Sequence, residues 1–208
     1  MRKRVFTIGH STHPLEIFID LLMKHGITVI CDVRSAPHSR LNPQYNQENL
    51  KLSLNEHGIT YVFLGKELGA RSDDPNCYEH GKIQYERLAH TESFRAGLER
   101  VKKGTKKYSV ALMCAEKEPL ECHRAVLVAR HLEMLDFEIQ HIHSDGSLES
   151  QLELVQRLLH LLNLPENSMF RSREEIVADA YRIQGERIAY TPSKAPHKKA
   201  NPASGLFP

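Results

Sequence analysis

Residue types able to do chemistry are gathered in three short polar segments of this chain. The first reads Gly9-His10-Ser11-Thr12-His13, and the second runs from Asp32-Val33-Arg34 to Ser39-Arg40. The third begins at Cys114, passes Glu116 and ends in Cys122-His123-Arg124, where helical periodicity takes over. Backbone N–H groups at a helix start, together with an adjacent cation, stabilise a thiolate, which makes Cys122 the expected nucleophile. Cys114, at the end of an apolar run, competes for that role, and Glu116 is the nearest carboxyl that could move a proton. The alternative for any cysteine is to pack as a small hydrophobe, and that reading is preferred for Cys31 and Cys77.

The same segments supply cations and a base. Guanidinium forks suit phosphate or carboxylate, so Arg34, Arg40 and Arg124 would form an anion site if their loops converge, with Ser11 and His123 as further substrate contacts. Taken singly, each arginine would be an ordinary ion-pair partner. His10 titrates near working pH and is a candidate general base, or else it hydrogen-bonds the backbone and holds its own loop. Asp32 has a supporting role, holding Arg34 or His10, and Thr12 is expected to cap a helix beginning near Pro14. Among His10, His13, Cys114, Cys122 and His123 there are soft and borderline metal ligands, but their spacing fits no standard zinc motif. No cofactor is therefore expected, and a metal held by His and Cys is the minor alternative.

Positioning these residues requires a strand before each segment. Residues 5–8, 27–33, 59–64, 108–113 and 137–143 are short apolar runs of the kind that form strands, several of them continuous enough to be buried on both faces. Amphipathic stretches lie between them: one opened by Pro14 and stopped by Gly26, one over 47–57 stopped by Gly58, one carrying Phe94, Leu98 and Val101, and further ones over 122–135 and 147–162. His25-Gly26-Ile27-Thr28 returns as His57-Gly58-Ile59-Thr60, which places two glycine C-caps at equivalent helix-to-strand junctions. Ser172 and Glu175 form a capping box for a last helix. Residues 64–82 are polar and long for a connection, either a lid or a solvated excursion.

Strict alternation of strand and helix predicts an α/β fold: a mainly parallel five-stranded sheet in a three-layer, Rossmann-like arrangement, with a C-terminal helix and tail. The expected domain spans 1–185, and 186–208 is expected to be a flexible, basic, proline-rich tail. In such a sheet ligands collect outside the carboxyl ends of the strands, which is where all three polar segments fall.

Composition narrows the partners. The chain has 208 residues, 40% hydrophobic and 26% charged, as a globular domain should. Its net charge of +2 is owed to three lysines, Lys194, Lys198 and Lys199, near the C-terminus. The remainder is almost neutral and lacks the broad basic footprint of a nucleic-acid binder. No run is long enough to span a membrane, and the start does not read as a secretion signal, so a cytoplasmic protein is expected. P-loop and G-x-G-x-x-G fingerprints and the zinc deaminase signature are all missing from the sequence.

The motifs Thr7-Ile8-Gly9-His10-Ser11-Thr12, Asp32-Val33-Arg34 with Ser39-Arg40, the Leu68-Gly69-Ala70 turn, and Cys114-x-Glu116 with Cys122-His123-Arg124 together closely resemble the uncharacterised family called domain of unknown function 488. The resemblance runs from about residue 5 to 143 and implies an α/β fold with a polar site built from those segments. The leading functional expectation is an enzyme of hydrolase or transferase type acting on a phosphorylated small molecule or nucleotide. A cysteine thiolate or a water activated by His10 would attack, and Glu116 would move protons. The alternatives are a module that binds nucleotide or nucleic-acid phosphate without turnover, and a thiol or metal sensor.

Overall fold

The apolar runs become strands in the computed structural model, which describes residues 3–191. In chain order the first half contains β1 (Lys3–Gly9), α1 (Leu15–Lys24), β2 (Val29–Asp32), α2 (Gln47–Glu56), β3 (Thr60–Phe63) and the short α3 (Gly65–Leu68). A small hairpin, β4 (Tyr78–Glu79) and β5 (Lys82–Ile83), leads to α4 (Tyr85–Ala89), α5 (Glu92–Gly104) and β6 (Val110–Cys114). The rest comprises α6 (Arg130–Met134), β7 (Phe137–Ile142), β8 (Leu148–Ser150), α7 (Gln151–Leu161) and α8 (Arg173–Ile188). One turn of π-helix, Arg124–Ala129, runs directly into α6.

The main sheet has the order β3-β2-β6-β1-β7-β8. Its first five strands are parallel, and β8 pairs antiparallel with β7, Ile142 facing Leu148. The sheet thus has six strands and not the five expected. From sequence, residues 148–150 fall within the helix expected over 147–162, because three residues are too few to show a period of two. Strand β6 lies between β1 and β2, so the loop leaving its carboxyl end is flanked by the loops leaving the other two.

Alternate residues of the central strands enter two different apolar clusters. Val5, Val29, Cys31, Val110 and Leu112 pack with Phe94, Leu98 and Val101 of α5. Phe6, Ile8, Ile30, Ala111 and Met113 pack with Phe18, Leu22, Leu50 and Leu54 of α1 and α2. Each fully buried leucine or phenylalanine contributes about 1.5–3 kcal/mol, so the strand ends are held by a core on each set of alternate residues. Ser150 with Glu153 and Ser172 with Glu175 are capping boxes for α7 and α8. Gly26 and Gly58 adopt positive φ, 63° and 72°, at the ends of α1 and α2. Thr12 does not cap α1: Pro14 occupies the cap position and no side chain bonds there.

Residues 65–83 form α3 and the hairpin, and the Ile83 N–H donates to the Tyr190 carbonyl, 3.0 Å away, just beyond α8. The basic, proline-rich stretch after residue 191 lies outside the described residues. Among the described residues no helix is long and apolar enough to cross a membrane.

Candidate functional site

The loop after β6 is built to bring residue 122 back beside residue 114. The Glu118 side chain accepts a bond from the Leu120 N–H at 3.1 Å and, with Pro119, starts a single 3-10 turn over Pro119–Glu121. Cys122 is extended, and its carbonyl accepts the N–H groups of Ala125 and Val126, so it sits at the start of the π-helical turn. The loop after β1 is laid on this one: the His10 and Ser11 N–H groups donate to the carbonyls of Cys114 and Ala115, each 2.9 Å away. Gly9 permits that approach, since a Cβ there would lie 1.9 Å from the Glu116 carbonyl oxygen.

Four groups converge as a result. The ligating atoms of Cys114, Glu116, Cys122 and His123 all lie within 4.8 Å of one another. His123 Nε2 lies 3.0 Å from the Val33 carbonyl, which can only accept, so Nε2 carries the proton. Nδ1 therefore faces both sulfurs, 3.8 Å from Cys114 Sγ and 3.9 Å from Cys122 Sγ. Cys122 Sγ lies 2.9 Å from Glu116 Oε2 and accepts from the Arg124 N–H at 3.4 Å.

Burial disfavours a thiolate at either cysteine, yet the two are driven apart. At Cys122 the penalty is outweighed by hydrogen bonding from Cys114 and by the charges of Arg124 and His123, which hold this thiol well below its ordinary range. Burial, and then the bond to Cys122, push Cys114 well above it. Glu116 is an exposed residue, but its carboxyl end turns inward, where desolvation and then the Cys122 charge raise it. His123 is raised too: burial opposes protonation, but the bond and charge of Cys122 prevail.

The arginines are spoken for. Arg34 grips Asp32 with Nε at 2.9 Å and Nη2 at 2.6 Å, and Nη2 also donates to the Tyr45 carbonyl. Asp32 is fully buried and accepts the Tyr61 hydroxyl at 2.7 Å as well. Arg124 is fully buried, with its two Nη groups on the carbonyls of Glu116 and Lys117 at 2.6 and 3.1 Å. Arg40 is exposed and does not line the site. The expected convergence of three arginines on one anion is therefore not found. Two of them satisfy the buried polar groups of the loops themselves, because carbonyls and carboxylates taken from water need donors.

His10 is likewise committed. Its Nδ1 donates to the Ser11 carbonyl at 2.8 Å, its Nε2 accepts from Arg34 Nη1 at 3.2 Å, and its ring stacks on Tyr45 with centroids 4.0 Å apart. Burial, and then the Arg34 charge, lower it to about 4, so it stays neutral and holds Arg34 in place. Ser11 adopts φ 50° and contributes its backbone to the junction with the loop after β6.

Above the four-group cluster lies a cavity of about 290 Å³. Cys114, Glu116 and His123 meet Arg34 and Ser35 from the loop after β2, Ala70 and Arg71 from the turn after α3, and Tyr85 and Tyr190. The Arg71 guanidinium stacks over the Tyr190 ring at 4.1 Å and has no carboxylate partner among the described residues. A larger cavity, about 380 Å³, lies among α4, α6 and α8, but its walls carry none of the four clustered groups. Arg71, Tyr85 and Tyr190 escaped the sequence reading. The Leu68-Gly69-Ala70 turn, which enters the sequence reading only as part of the family resemblance, directly precedes the first of them.

A protein-family model described as domain of unknown function DUF488 matches residues 14–131, more than half of the chain. The matched stretch contains the second and third polar segments, and Gly9 to Thr12 fall just ahead of it. Neither the curated proteins nor the solved structures include a match.

Proposed function

The chain belongs to the DUF488 family, and on that premise we propose that it is an enzyme of hydrolase or transferase type acting on a phosphorylated small molecule or nucleotide. One observation carries this reading: Cys114, His123 and Glu116 line a cavity of about 290 Å³ at the carboxyl edge of a parallel sheet, with Cys122 clustered against them. The cluster supplies the attacking group, a cysteine thiolate or a water held there, and Glu116 moves the proton. Arg71, stacked on Tyr190 and without a carboxylate partner among the described residues, binds the anion in place of the arginines on the strand loops. Asp32, Arg34 and His10 position the wall on which Ser35 stands. The same reading takes the sheet as the middle of a three-layer, Rossmann-like arrangement, supported by the division of alternate strand residues between two clusters. It also places the protein in the cytoplasm, where thiols stay reduced.

A thermal-shift screen of phosphorylated metabolites and nucleotides, repeated on Arg71→Ala, tests the proposal. A ligand present at about 100 times its Kd adds about 2.7 kcal/mol, which in a protein of this size raises Tm by roughly 5–10 °C. The shift should vanish in Arg71→Ala, whose own Tm stays near that of the unmodified protein, and the hits should then be turned over in a product-release assay. A panel with no hit, or a hit indifferent to Arg71, refutes the reading.

A further inference from the structure

The geometry points to a site for one soft or borderline divalent cation, Zn²⁺, bound by Cys114 Sγ, Cys122 Sγ and His123 Nδ1, with the Glu116 carboxylate in the fourth position. The inference rests on the reading that this cluster is the reactive centre, and it assigns the means by which the centre acts.

Four observations support it. The two sulfur-to-nitrogen separations, 3.8 and 3.9 Å, are long for hydrogen bonds. They are close to the edge of a tetrahedron around zinc, about 3.6 Å for the usual Zn–S and Zn–N lengths. A ligand histidine ordinarily donates its other ring N–H to a fixed acceptor, which aims the free nitrogen at the metal. Here His123 Nε2 gives its proton to the Val33 carbonyl, and Nδ1 is turned between the sulfurs. The Arg124 N–H points at Cys122 Sγ, as a donor to a metal-bound thiolate should.

Charge balance is the fourth. Two thiolates and a carboxylate carry three negative charges, and Zn²⁺ with the fully buried Arg124 supplies three positive ones. Arg34 does not enter that balance, being matched by Asp32. Two thiolates and an imidazole select zinc over magnesium or calcium, which require oxygen. Three of the ligands, Cys114, Glu116 and His123, line the cavity. Glu116 belongs to an exposed stretch of loop, so its position is the one that can be given up to water or substrate. On binding, each proton held by the two thiols, the Glu116 carboxyl or His123 Nδ1 leaves to solvent and the metal–ligand bonds form, with no change of oxidation state. The nucleophile is then a zinc-bound water or hydroxide, which suits the hydrolytic form of the proposed reaction.

Full-length protein stripped with chelator and titrated anaerobically with cobalt(II) provides the test. One equivalent should produce a thiolate-to-cobalt charge-transfer band and the visible absorption of a tetrahedral centre, both displaced by Zn²⁺. Cys114→Ser and Cys122→Ser should weaken binding by more than about 100-fold, beyond the 10–100-fold that orienting groups are worth. Glu116→Gln should keep the charge-transfer band, and Cys31→Ser should change nothing. To keep the test independent of how a cysteine variant folds, the unmodified protein is also alkylated with and without Zn²⁺: the metal should protect Cys114 and Cys122 together. Absence of the charge-transfer band, a band that survives in the Cys114→Ser, Cys122→Ser double variant, or alkylation indifferent to Zn²⁺ overturns the site. Turnover that persists in fully stripped protein would also overturn it while leaving the enzyme reading intact. One equivalent of tightly bound cobalt in a protein that turns over nothing would uphold the site and refute the enzyme.

Discussion

Replacing Asp32 with asparagine should destabilise the protein far more than its position at the very end of β2 suggests. Asp32 accepts bonds from the Arg34 N–H at 3.0 Å, from Arg34 Nε and Nη2, and from the Tyr61 hydroxyl at 2.7 Å. It is fully buried and Arg34 nearly so. Asparagine keeps the shape, but it removes the charge and sets an amide N–H₂ against donors. Breaking a buried pair from one side costs about 3–5 kcal/mol, and at roughly 2–4 °C per kcal/mol for a protein of this size Tm should fall by about 6–20 °C. Urea denaturation of Asp32→Asn, Arg34→Leu and the double variant measures the coupling directly. If the partners satisfy each other, the double variant loses less than the two singles together, by about 2 kcal/mol, within the usual range for groups in contact. A single variant costing under about 1 kcal/mol, with an additive double, would show that Asp32 does not neutralise Arg34. The guanidinium would then be free for an anion, and assigning that role to Arg71 would lose its main support.

Acidification should destabilise the fold through two buried neutral histidines. Burial is the largest cause lowering both His10 and His141 to about 4, and His141 is fixed between Thr7 Oγ1 and Gln151 Oε1, each 2.8 Å away. The unfolded chain takes up protons below about pH 6.5 that the folded chain refuses, so stability is full above that pH and is lost as pH falls towards 4, by about 3 kcal/mol per histidine. Urea midpoints at pH 7 and 4.5 check this, and a His141→Gln variant with an unchanged pH dependence would contradict it. Gly9→Ala sets a methyl 1.9 Å from the Glu116 carbonyl. It should cost about 1–3 kcal/mol by overpacking and weaken cobalt(II) binding, and an alanine variant with native Tm and native binding would show that the junction between the two loops is loose.

The parallel strands could be read from the sequence because a strand buried on both faces must be continuously apolar, and residues 27–33 and 108–113 carry that pattern. Parallel direction then follows from the helices between strands, and with it the convergence of three polar loops at one edge. Their order could not be read, because nothing local to β6 says that it enters between β1 and β2. Strand β8 was hidden for a different reason: its Leu148-Glu149-Ser150 is defined by its bonds to β7 and not by a period of its own.

The meaning of a charge is decided by its partners, which the sequence does not show. Arg34 and Arg124 look like anion ligands when only their type is visible, but a loop folded down onto a sheet edge buries carbonyls and a carboxylate that must find donors. Arg34 meets that need for Asp32 and the Tyr45 carbonyl, and Arg124 meets it for the carbonyls of residues 116 and 117. Those bonds give both guanidinium groups a structural consequence for the chemistry. Arg124 fixes the loop that carries Glu116, and Arg34 fixes the stretch that leads to Ser35 and, through the Val33 carbonyl, faces His123. With the strand-loop arginines so occupied, the reactive groups that β6 and the loop after it turn to the cavity are sulfur, imidazole and carboxyl. On the proposed reading a cation for substrate comes from elsewhere in the chain, and Arg71, contributed by an excursion with no periodicity to mark it, is the one the cavity lining offers.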